Sequence, residues 1–468
     1  MERYDLVVLG GGPGGYPAAI RASQLGLKVA LVEKAKVGGI CLHWGCIPTK
    51  VILETAEVLT LARRGEEYGV TAKEVGIDHS QLSKRRERVV NTLHGGVQFL
   101  LKKNGVTTLL GEGRLTSPTT LEVRLSEGGG TTEVAGNDVI VATGSAPRSI
   151  PGLDVDGDRV INSDNAVVLP ELPRSVIIIG GGAIGVEFAS AWRDLGAEVT
   201  LVEVLPRILP LEDADVSRDL TRLFTRRGIK VLPGARVMAD TLQRFPDHVE
   251  LEVEREGARE KLSAERVLVA TGRVGLTEGI GLEQLGVKVE RGFIQVDGQM
   301  RTGVPHLYAI GDVVGGLMLA HKATHEGFIA VEAILGRNPR PLDPRRIPRC
   351  TYSRPQVASL GLSEEEATRQ GYRVKVGQVP FGAIGMATIL GERDGFGKIV
   401  SDEATGEILG VHLMGPRVTE LIFGPALAHL LEATPEEMAM NVHPHPTLSE
   451  VLGEAAEDVY GQSIHFAR

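Results

Sequence analysis

At 468 residues, with 42% apolar and 24% charged side chains and a mean hydropathy near zero, the chain is too long for one hydrophobic core and ordinary for a globular protein of several domains. A net charge of −9 and a pI near 5.8 argue against a general binder of nucleic acid or anionic membrane. No apolar run reaches the roughly 18 to 20 residues that span a bilayer, no secretion signal is visible at the start, and the expectation is a cytoplasmic location.

The first element is the apolar run Asp5 to Leu9, which predicts a buried strand leading into Gly10-Gly-Gly12-Pro-Gly-Gly15. A helix is expected over Ala18 to Leu25, closed by Gly26, and a second strand over Lys28 to Glu33. Val139-Ile-Val-Ala-Thr-Gly144 reads as a later strand of the same unit. The pattern then repeats. Ser175 to Ile179 matches the first strand, Gly180-Gly-Gly182-Ala-Ile-Gly185 the loop, Glu198 to Glu203 the second strand and Val267-Leu-Val-Ala-Thr-Gly272 the later one, with first glycine and final glutamate spaced 10 to 33 and 180 to 203. In such a loop one glycine permits the turn, the next lets backbone approach a pyrophosphate and the third lets helix and strand pack closely. The helix N-terminus faces the phosphates, and the terminal acid takes the ribose hydroxyls. A single loop is no more than a glycine-rich turn, but two copies in register imply two bound dinucleotides. Beyond Gly272 come another buried strand in Leu307 to Asp312, a Pro- and Arg-rich linker from Pro339 to Pro348, strands in Gly397 to Ser401 and Ile408 to Leu413, and a terminal helix over Leu448 to Tyr460.

Cys41 and Cys46 form a close pair in a chain with three cysteines. A disulfide needs Cα atoms about 4.4 to 6.8 Å apart, whereas five residues of straight helix rise about 7.5 Å. The pair therefore fits a broken or helix-entering segment, which Gly38, Gly39, Gly45 and Pro48 supply, and a helix N-terminus favours the thiolate. In a reducing compartment such a pair is redox-catalytic or metal-binding. A zinc half-site with His43 and two inert buried cysteines are the competing readings, although no second ligand pair stands nearby at zinc spacing. Cys350 reads as a small buried hydrophobe.

The stretch Gly38-Gly-Ile-Cys41-Leu-His-Trp-Gly-Cys46-Ile-Pro-Thr-Lys50 resembles the active-site signature of the pyridine nucleotide-disulfide oxidoreductases. The likeness runs nearly end to end, through both glycine loops, Gly311-Asp312, Met318-Leu-Ala-His-Lys322 and His443-Pro-His445-Pro-Thr-Leu-Ser-Glu450, and is nearest to the branch acting on dihydrolipoamide. Ile40, His43, Trp44 and Thr49 stand where the family usually shows Thr, Asn, Val and Ser. The resemblance implies an α/β chain with two Rossmann-like dinucleotide-binding domains, residues 1–147 for FAD and 148–272 for NAD. A central part, 273–342, would complete the FAD region, and a C-terminal α+β interface domain, 343–468, would make a homodimer. Cys41 would exchange with the substrate and Cys46 would lie against the flavin as a charge-transfer thiolate. Lys50, near the flavin N5, would pair with Glu187, each having a solvated helix charge as its plainer reading. FAD contacts are implied for Gly10, Gly12, Gly15, Glu33, Lys50, Gly113, Thr143, Gly144, Asp312 and Ala320, and NAD contacts for Gly180, Gly182, Gly185, Glu203, Val237 and Gly272. No metal is expected.

A dithiol must lose a proton to become a nucleophile, and histidine is suited to take it near neutral pH. The resemblance selects His445 as that base, oriented by Glu450 and serving the site of the other subunit. On residues alone His443 stays an alternative, since it too stands beside a proline, Pro444. His445 also reads as a surface residue, and Thr447-Leu-Ser-Glu450 as a capping box in which Glu450 serves the Thr447 amide. Glu203 favours NAD over a 2′-phosphorylated dinucleotide, with Arg207 as the counter-argument. Within the resembled family, branches that reduce mercuric ion or thioredoxin would be expected to carry C-terminal cysteines, and none follows Cys350. The resemblance therefore implies lipoyl domains as substrate carriers, on the acyltransferase core of a 2-oxoacid dehydrogenase complex or on a glycine cleavage protein. An NAD(P)H-dependent reductase of another small disulfide and a non-catalytic flavoprotein subunit are the alternatives.

Overall fold

The computed structural model describes residues 2–126 and 128–467, and the chain divides into two compact units. One gathers Met1–Ile52, Ser80–Arg148 and Gly272–Leu342, the other Leu53–His79, Ser149–Thr271 and Asp343–Arg468. Two features of this division leave no mark in the sequence. The segment 53–79 belongs to the second unit, and the second nucleotide-binding region clusters there with the C-terminal region.

The first unit is built on an eight-stranded sheet in the order Glu2–Arg3, Thr131–Ala135, Thr120–Leu125, Thr107–Ser117, Val29–Glu33, Leu6–Leu9, Asp138–Val141 and Leu307–Ala309. The last five are mutually parallel. Parallel strands covered on both faces read as unbroken apolar runs. Accordingly Leu6 and Val8 pack with the helices Gly15–Gln24 and Ala320–Ile334, while Val7 and Leu9 enter a second core with Leu115 and Leu121. The helix expected from Ala18 starts three residues earlier, at Gly15, because the glycine turn itself delivers the chain in helical geometry. The strand predicted to reach Gly144 stops at Val141, and Ala142 to Gly144 turn away at its end.

In the second unit a parallel sheet runs Lys230–Pro233, Glu198–Glu203, Ser175–Ile179, Arg266–Val269, Val160–Asn162, beside an antiparallel meander of Arg236–Arg244, Val249–Arg255 and Ala258–Ala264. A five-stranded antiparallel sheet, ordered Arg349–Thr351, Gln356–Gly361, Ile408–Gly415, Phe396–Asp402, Val374–Pro380, carries the terminal helix Glu450–Asp458. That helix lies so close that a methyl on Gly377 would overlap the Ala455 carbonyl oxygen, and Gln378 N donates to Asp458 Oδ2 at 2.8 Å. It begins two residues later and ends two earlier than the sequence suggests. Cys350, expected in the core, is only half-buried against it.

Within this unit charged side chains join the parallel and antiparallel sheets. Lys398, 2% exposed, donates to Asp213 at 2.9 Å and to Asp215 and Glu364 at 2.8 Å each. Burial lowers the affinity of its ammonium for the proton, but hydrogen bonds to Asp215 and Glu364 and the charge of Asp213 outweigh burial and push its pKa up. A raised lysine pKa stabilises the fold fully below the unfolded value near 10.5 and is lost only as pH climbs through the folded one. Lys398→Met should therefore lower stability by about 3 kcal/mol across the neutral range, since it strands the buried Asp213 carboxylate. Urea unfolding of the variant from pH 6 to 8 measures this, and an unchanged midpoint would contradict it.

Candidate active site

The strand Leu6–Leu9 has the second strand of its unit on one side and Asp138–Val141 on the other, so its carboxyl end opens at the point where strand order reverses, where doubly wound sheets form their crevice. Here Gly10 turns at φ +109°, and a methyl on it would overlap the Ala142 carbonyl. A methyl on Gly15 would overlap the carbonyl of Gly10. Gly12 differs, for a methyl there would find no atom nearer than 4.0 Å, the Gly39 Cα. Glu33 is buried, its Oε2 accepting from Gly11 N at 2.7 Å and its Oε1 from Ala35 N at 2.8 Å. The second loop repeats each detail. Gly180 and Gly185 have no room for a methyl, Gly182 has open space, and Glu203 accepts from Gly181 N at 2.6 Å and Leu205 N at 2.7 Å. Two glycines per loop thus bring helix and strand together, and the third leaves uncovered a patch of backbone at a helix N-terminus, a cradle that fits a pyrophosphate.

Of the other expected FAD residues, Thr143, Gly144 and Asp312 sit just beyond the carboxyl ends of the strands Asp138–Val141 and Leu307–Ala309. Thr143 donates to Leu276 O at 2.8 Å, and Gly144 turns at φ +78°. Ser145 donates to Asp312 Oδ2 at 2.5 Å and accepts from Arg273 Nε at 2.7 Å. Ala320 opens the helix whose Thr324 donates to Pro13 O at 2.8 Å. Gly113 has its Cβ direction filled by Leu9, Val32 and Leu121, so its smallness serves sheet packing. Sequence reasoning missed Ser145, Arg273 and Glu326. Buried Glu326 accepts from Gly311 N at 2.8 Å and pairs with Lys322 at 2.6 Å, and the i, i+4 spacing of Lys322 and Glu326 was the available signal. In the second unit Val237, paired with Val253, packs partly buried against the core. Gly272, at φ +109°, begins the return to the first unit. Arg207 pairs with Glu365 at 2.9 Å, so its charge is already answered.

Cys41 and Cys46 are joined by a disulfide with Cα atoms 4.6 Å apart. The chain makes one helical turn, Gly39–His43, breaks at Trp44 (φ −136°) and starts a long helix, Cys46–Arg63, with Cys46 as its first residue. The break brings the thiols together. This redox segment is docked on the first glycine loop: Gly38 N donates to Gly11 O at 2.7 Å, and a methyl on Gly39 would lie 2.7 Å from the Gly12 Cα. His43, placed between the cysteines in sequence, turns away from them. Its Nε2–H and the Nδ1–H of His94 donate to the same acceptor, Val37 O, at 2.9 and 3.0 Å. Burial, first of all, holds the His43 imidazole below its ordinary pKa. Lys50 lies half-buried a turn into the long helix. Glu187, buried in the other unit, accepts from Tyr352 N at 2.9 Å.

His445 is 77% exposed, and its Nδ1–H donates to Glu450 Oε1 at 2.8 Å. The other oxygen of the same carboxylate accepts from Thr447 N at 2.8 Å. Glu450 thus contacts the His445 ring through one oxygen and the Thr447 amide through the other, but the capping box expected at Thr447 is not formed. Thr447 is not the helix cap, since its hydroxyl turns back to Pro444 O and to Ser449. Burial would raise the Glu450 carboxyl, but the hydrogen bonds from His445 and Thr447 bring it net below the usual range. With Nδ1–H committed to a carboxylate, Nε2 is left as the proton acceptor. His443 packs instead against Gly453, where a methyl would lie 2.9 Å from its ring.

Residues 4–327 match the family model of the pyridine nucleotide-disulphide oxidoreductases, and residues 347–456 match the dimerisation domain of that family. The dihydrolipoyl dehydrogenase of Bacillus subtilis is 48% identical over 99% of each chain, and that of Zymomonas mobilis 47% identical over 99% of this chain and all of its own. Among solved structures, LpdA from Mycobacterium tuberculosis superposes with a TM-score of 0.90 at 29% identity, covering 98% of this chain and 99% of that one. The flavoprotein disulfide reductase RclA from Escherichia coli does so with 0.87 at 27%, over 98% and 99%. The chain belongs to the pyridine nucleotide-disulphide oxidoreductases, and within them to the dihydrolipoyl dehydrogenases. It is a flavoprotein oxidoreductase that uses FAD and NAD. No helix among the described residues is long and apolar enough to cross a membrane.

The two kinds of glycine make a test. Gly182→Ala places a methyl in open space, so the fold should hold to within about 0.5 kcal/mol while NAD+ binding weakens about tenfold or more. Gly180→Ala meets backbone at a positive φ and should destabilise the second unit itself. Thermal unfolding beside NAD+ titration separates the two, and equal behaviour of the variants would refute the division of labour.

Proposed function

We propose that this chain reoxidises the dihydrolipoyl group carried by a lipoyl domain, reducing NAD+ to NADH, as a homodimer. The observation that carries the reading is the redox disulfide docked on the first glycine loop, in a chain whose C-terminal helix presents an oriented and exposed imidazole. His445 accepts the proton of one substrate thiol on Nε2, while Glu450 holds the ring and offsets the charge it gains. The substrate thiolate attacks Sγ of Cys41, a mixed disulfide forms, the bond to Cys46 breaks, and Cys46 departs as a thiolate stabilised at a helix N-terminus. The second substrate sulfur, once deprotonated, attacks its own sulfur in the mixed disulfide and frees Cys41. The substrate dithiol has then lost two electrons and the cysteine pair has gained them. The first cradle would hold FAD, which when bound would supply the two-electron relay that resets the pair, and the second would hold NAD+ as hydride acceptor. Lys50 and Glu187 are assigned to positioning around the flavin.

Support for the dimer comes from the helix Phe423–Leu430 and the segment after it, where Phe423, Leu431, Met440 and Val442 are 72%, 70%, 74% and 90% exposed. Apolar surface of that extent in one region marks an interface, and it lies within the stretch that matches the dimerisation domain. In such a dimer His445 of one subunit serves the cysteine pair of the other. On this reading the partner is a 2-oxoacid dehydrogenase complex or a glycine cleavage protein, and the location the cytoplasm.

Anaerobic addition of dihydrolipoamide should reduce NAD+, and His445→Gln should slow this by about 10² to 10⁴-fold at neutral pH, with Glu450→Gln causing a smaller loss. Preferential turnover of glutathione disulfide with NADPH would overturn the substrate assignment. For the thiols, Cys46→Ser should abolish the long-wavelength absorption of the two-electron-reduced enzyme, whereas Cys41→Ser should retain bound flavin but lose exchange with the substrate. The opposite pattern would reverse the roles given to the two cysteines.

A further inference from the structure

Apart from the residues assigned to the reaction, the second unit contains a cavity of about 430 Å3 whose lining residues include Arg63, Arg64, Arg193, Arg227 and Arg354, with Asp194 as the one carboxylate among them. The chain as a whole carries a net charge of −9, so a group of five cations runs against its average. Their partners are unevenly shared. Arg227 and Arg354 both bind Asp194, Arg227 through Nη2 at 2.7 Å and Arg354 through a two-pronged contact at 2.8 and 2.9 Å. Arg64 binds Glu67 at 2.8 Å, with Glu392 at 4.0 Å on the rim. Arg63 and Arg193 have only carbonyl oxygens: Arg63 donates to Asp194 O at 2.9 Å, and Arg193 to Arg227 O at 2.7 Å and Ala197 O at 3.3 Å. Neither has a carboxylate partner among the described residues.

The plainer explanation is that these arginines answer the carbonyl ends of the helices Ala183–Leu195 and Ala214–Arg226. Magnitudes show how far that goes. A helix C-terminus carries about half a negative charge, so two supply about one. Three of the five guanidinium charges remain after Asp194 and Glu67 are counted, and Glu392 on the rim offsets part of another. An excess of about one to two positive charges is left in the cavity. The crowding is felt within it: burial first, and then the charges of Arg354 and Arg193, hold Arg227 below the usual guanidinium range against the pull of Asp194.

We propose that this cavity binds a phosphate-bearing small molecule, its oxyanion held between Arg63 and Arg193 beside the Gly196 turn. Guanidinium forks present paired N–H groups that match two oxygens of a phosphate. Gly196 ends its helix at φ +116° with open space where a side chain would stand, so no side chain obstructs that wall. Thr60 is the remaining lining residue. The volume falls within the range of small-ligand sites, about 300 to 1,000 Å3, and admits a diphosphate.

The test uses the FAD-loaded enzyme with saturating NAD+, which keeps the probe out of the second glycine loop. Inorganic pyrophosphate, inorganic phosphate and ADP are titrated in turn at constant ionic strength, and the thermal midpoint is followed. Pyrophosphate should raise the midpoint saturably, and Arg63→Glu, at an exposed position where folding should survive, should weaken that response by about tenfold or more. Arg193→Ala should weaken it likewise. Tighter binding of ADP than of pyrophosphate would identify a nucleotide as the source of the phosphate, and the reverse a free polyphosphate. A rise matched by potassium chloride, or a response identical in wild type and Arg63→Glu, would overturn the site.

Discussion

The chemistry of this enzyme depends on how closely a helix start can approach the carbonyl behind it. At Gly15 and Gly185 the backbone lies so near the carbonyls of Gly10 and Gly180 that any side chain would force the helix away. The amides that face the phosphates would move with it, because they are fixed to the helix N-terminus. The redox segment inherits the same constraint. Gly39 packs on Gly12 and Gly38 donates to Gly11 O, so the loop carrying the disulfide is seated on the loop that cradles the first dinucleotide. Glycine is needed on both sides of that contact, once for the cofactor and once for the cysteines.

The second unit is fixed by a different force. Lys398 with three carboxylates, Arg349 with Glu212, Arg354 with Asp194 and the Glu187 carboxylate on Tyr352 N link the parallel sheet region to the C-terminal region through charge. Buried ion pairs give less net stability than apolar packing of equal volume, but separating one partner is costly. Such contacts suit a junction that must keep one register. The terminal helix is registered from this side, through the close approach at Gly377, and it carries Glu450.

The histidines show how alike residues come to different uses. His445 is exposed, its ring oriented by a carboxylate that also starts the helix. His443, two residues earlier, is packed against Gly453. His43, between the redox cysteines in sequence, is spent with His94 on the Val37 carbonyl, where it braces the segment leading to Gly38. Its departure from the usual family residue is thus accounted for by loop support.

Both glycine loops, their acids and the cysteine pair were legible in the sequence because the spacing that marks them lies within about 25 residues, where residue type and spacing are the signal, although Gly10 and Gly180 also meet the distant Ala142 and Ala270 carbonyls. Gly10 to Glu33 and Gly180 to Glu203 are such local units, and their hydrogen bonds, Gly11 N to Glu33 and Gly181 N to Glu203, span 22 residues each. The assignment of segment 53–79 to the second unit, the Ser145, Asp312 and Arg273 network and the arginine cavity were decided only by tertiary structure. Key pairings among them, Ser145 with Asp312 and Arg273 and Asp194 with Arg63 and Arg354, join residues more than 100 apart in the chain, and a single arginine or serine has no periodicity by which its partner can be found. The sequence by itself determined which atoms could do the chemistry, since backbone freedom and thiol spacing are local properties. Tertiary structure decided which charges would be neutralised and which left over, because that depends on what distant chain folds against them.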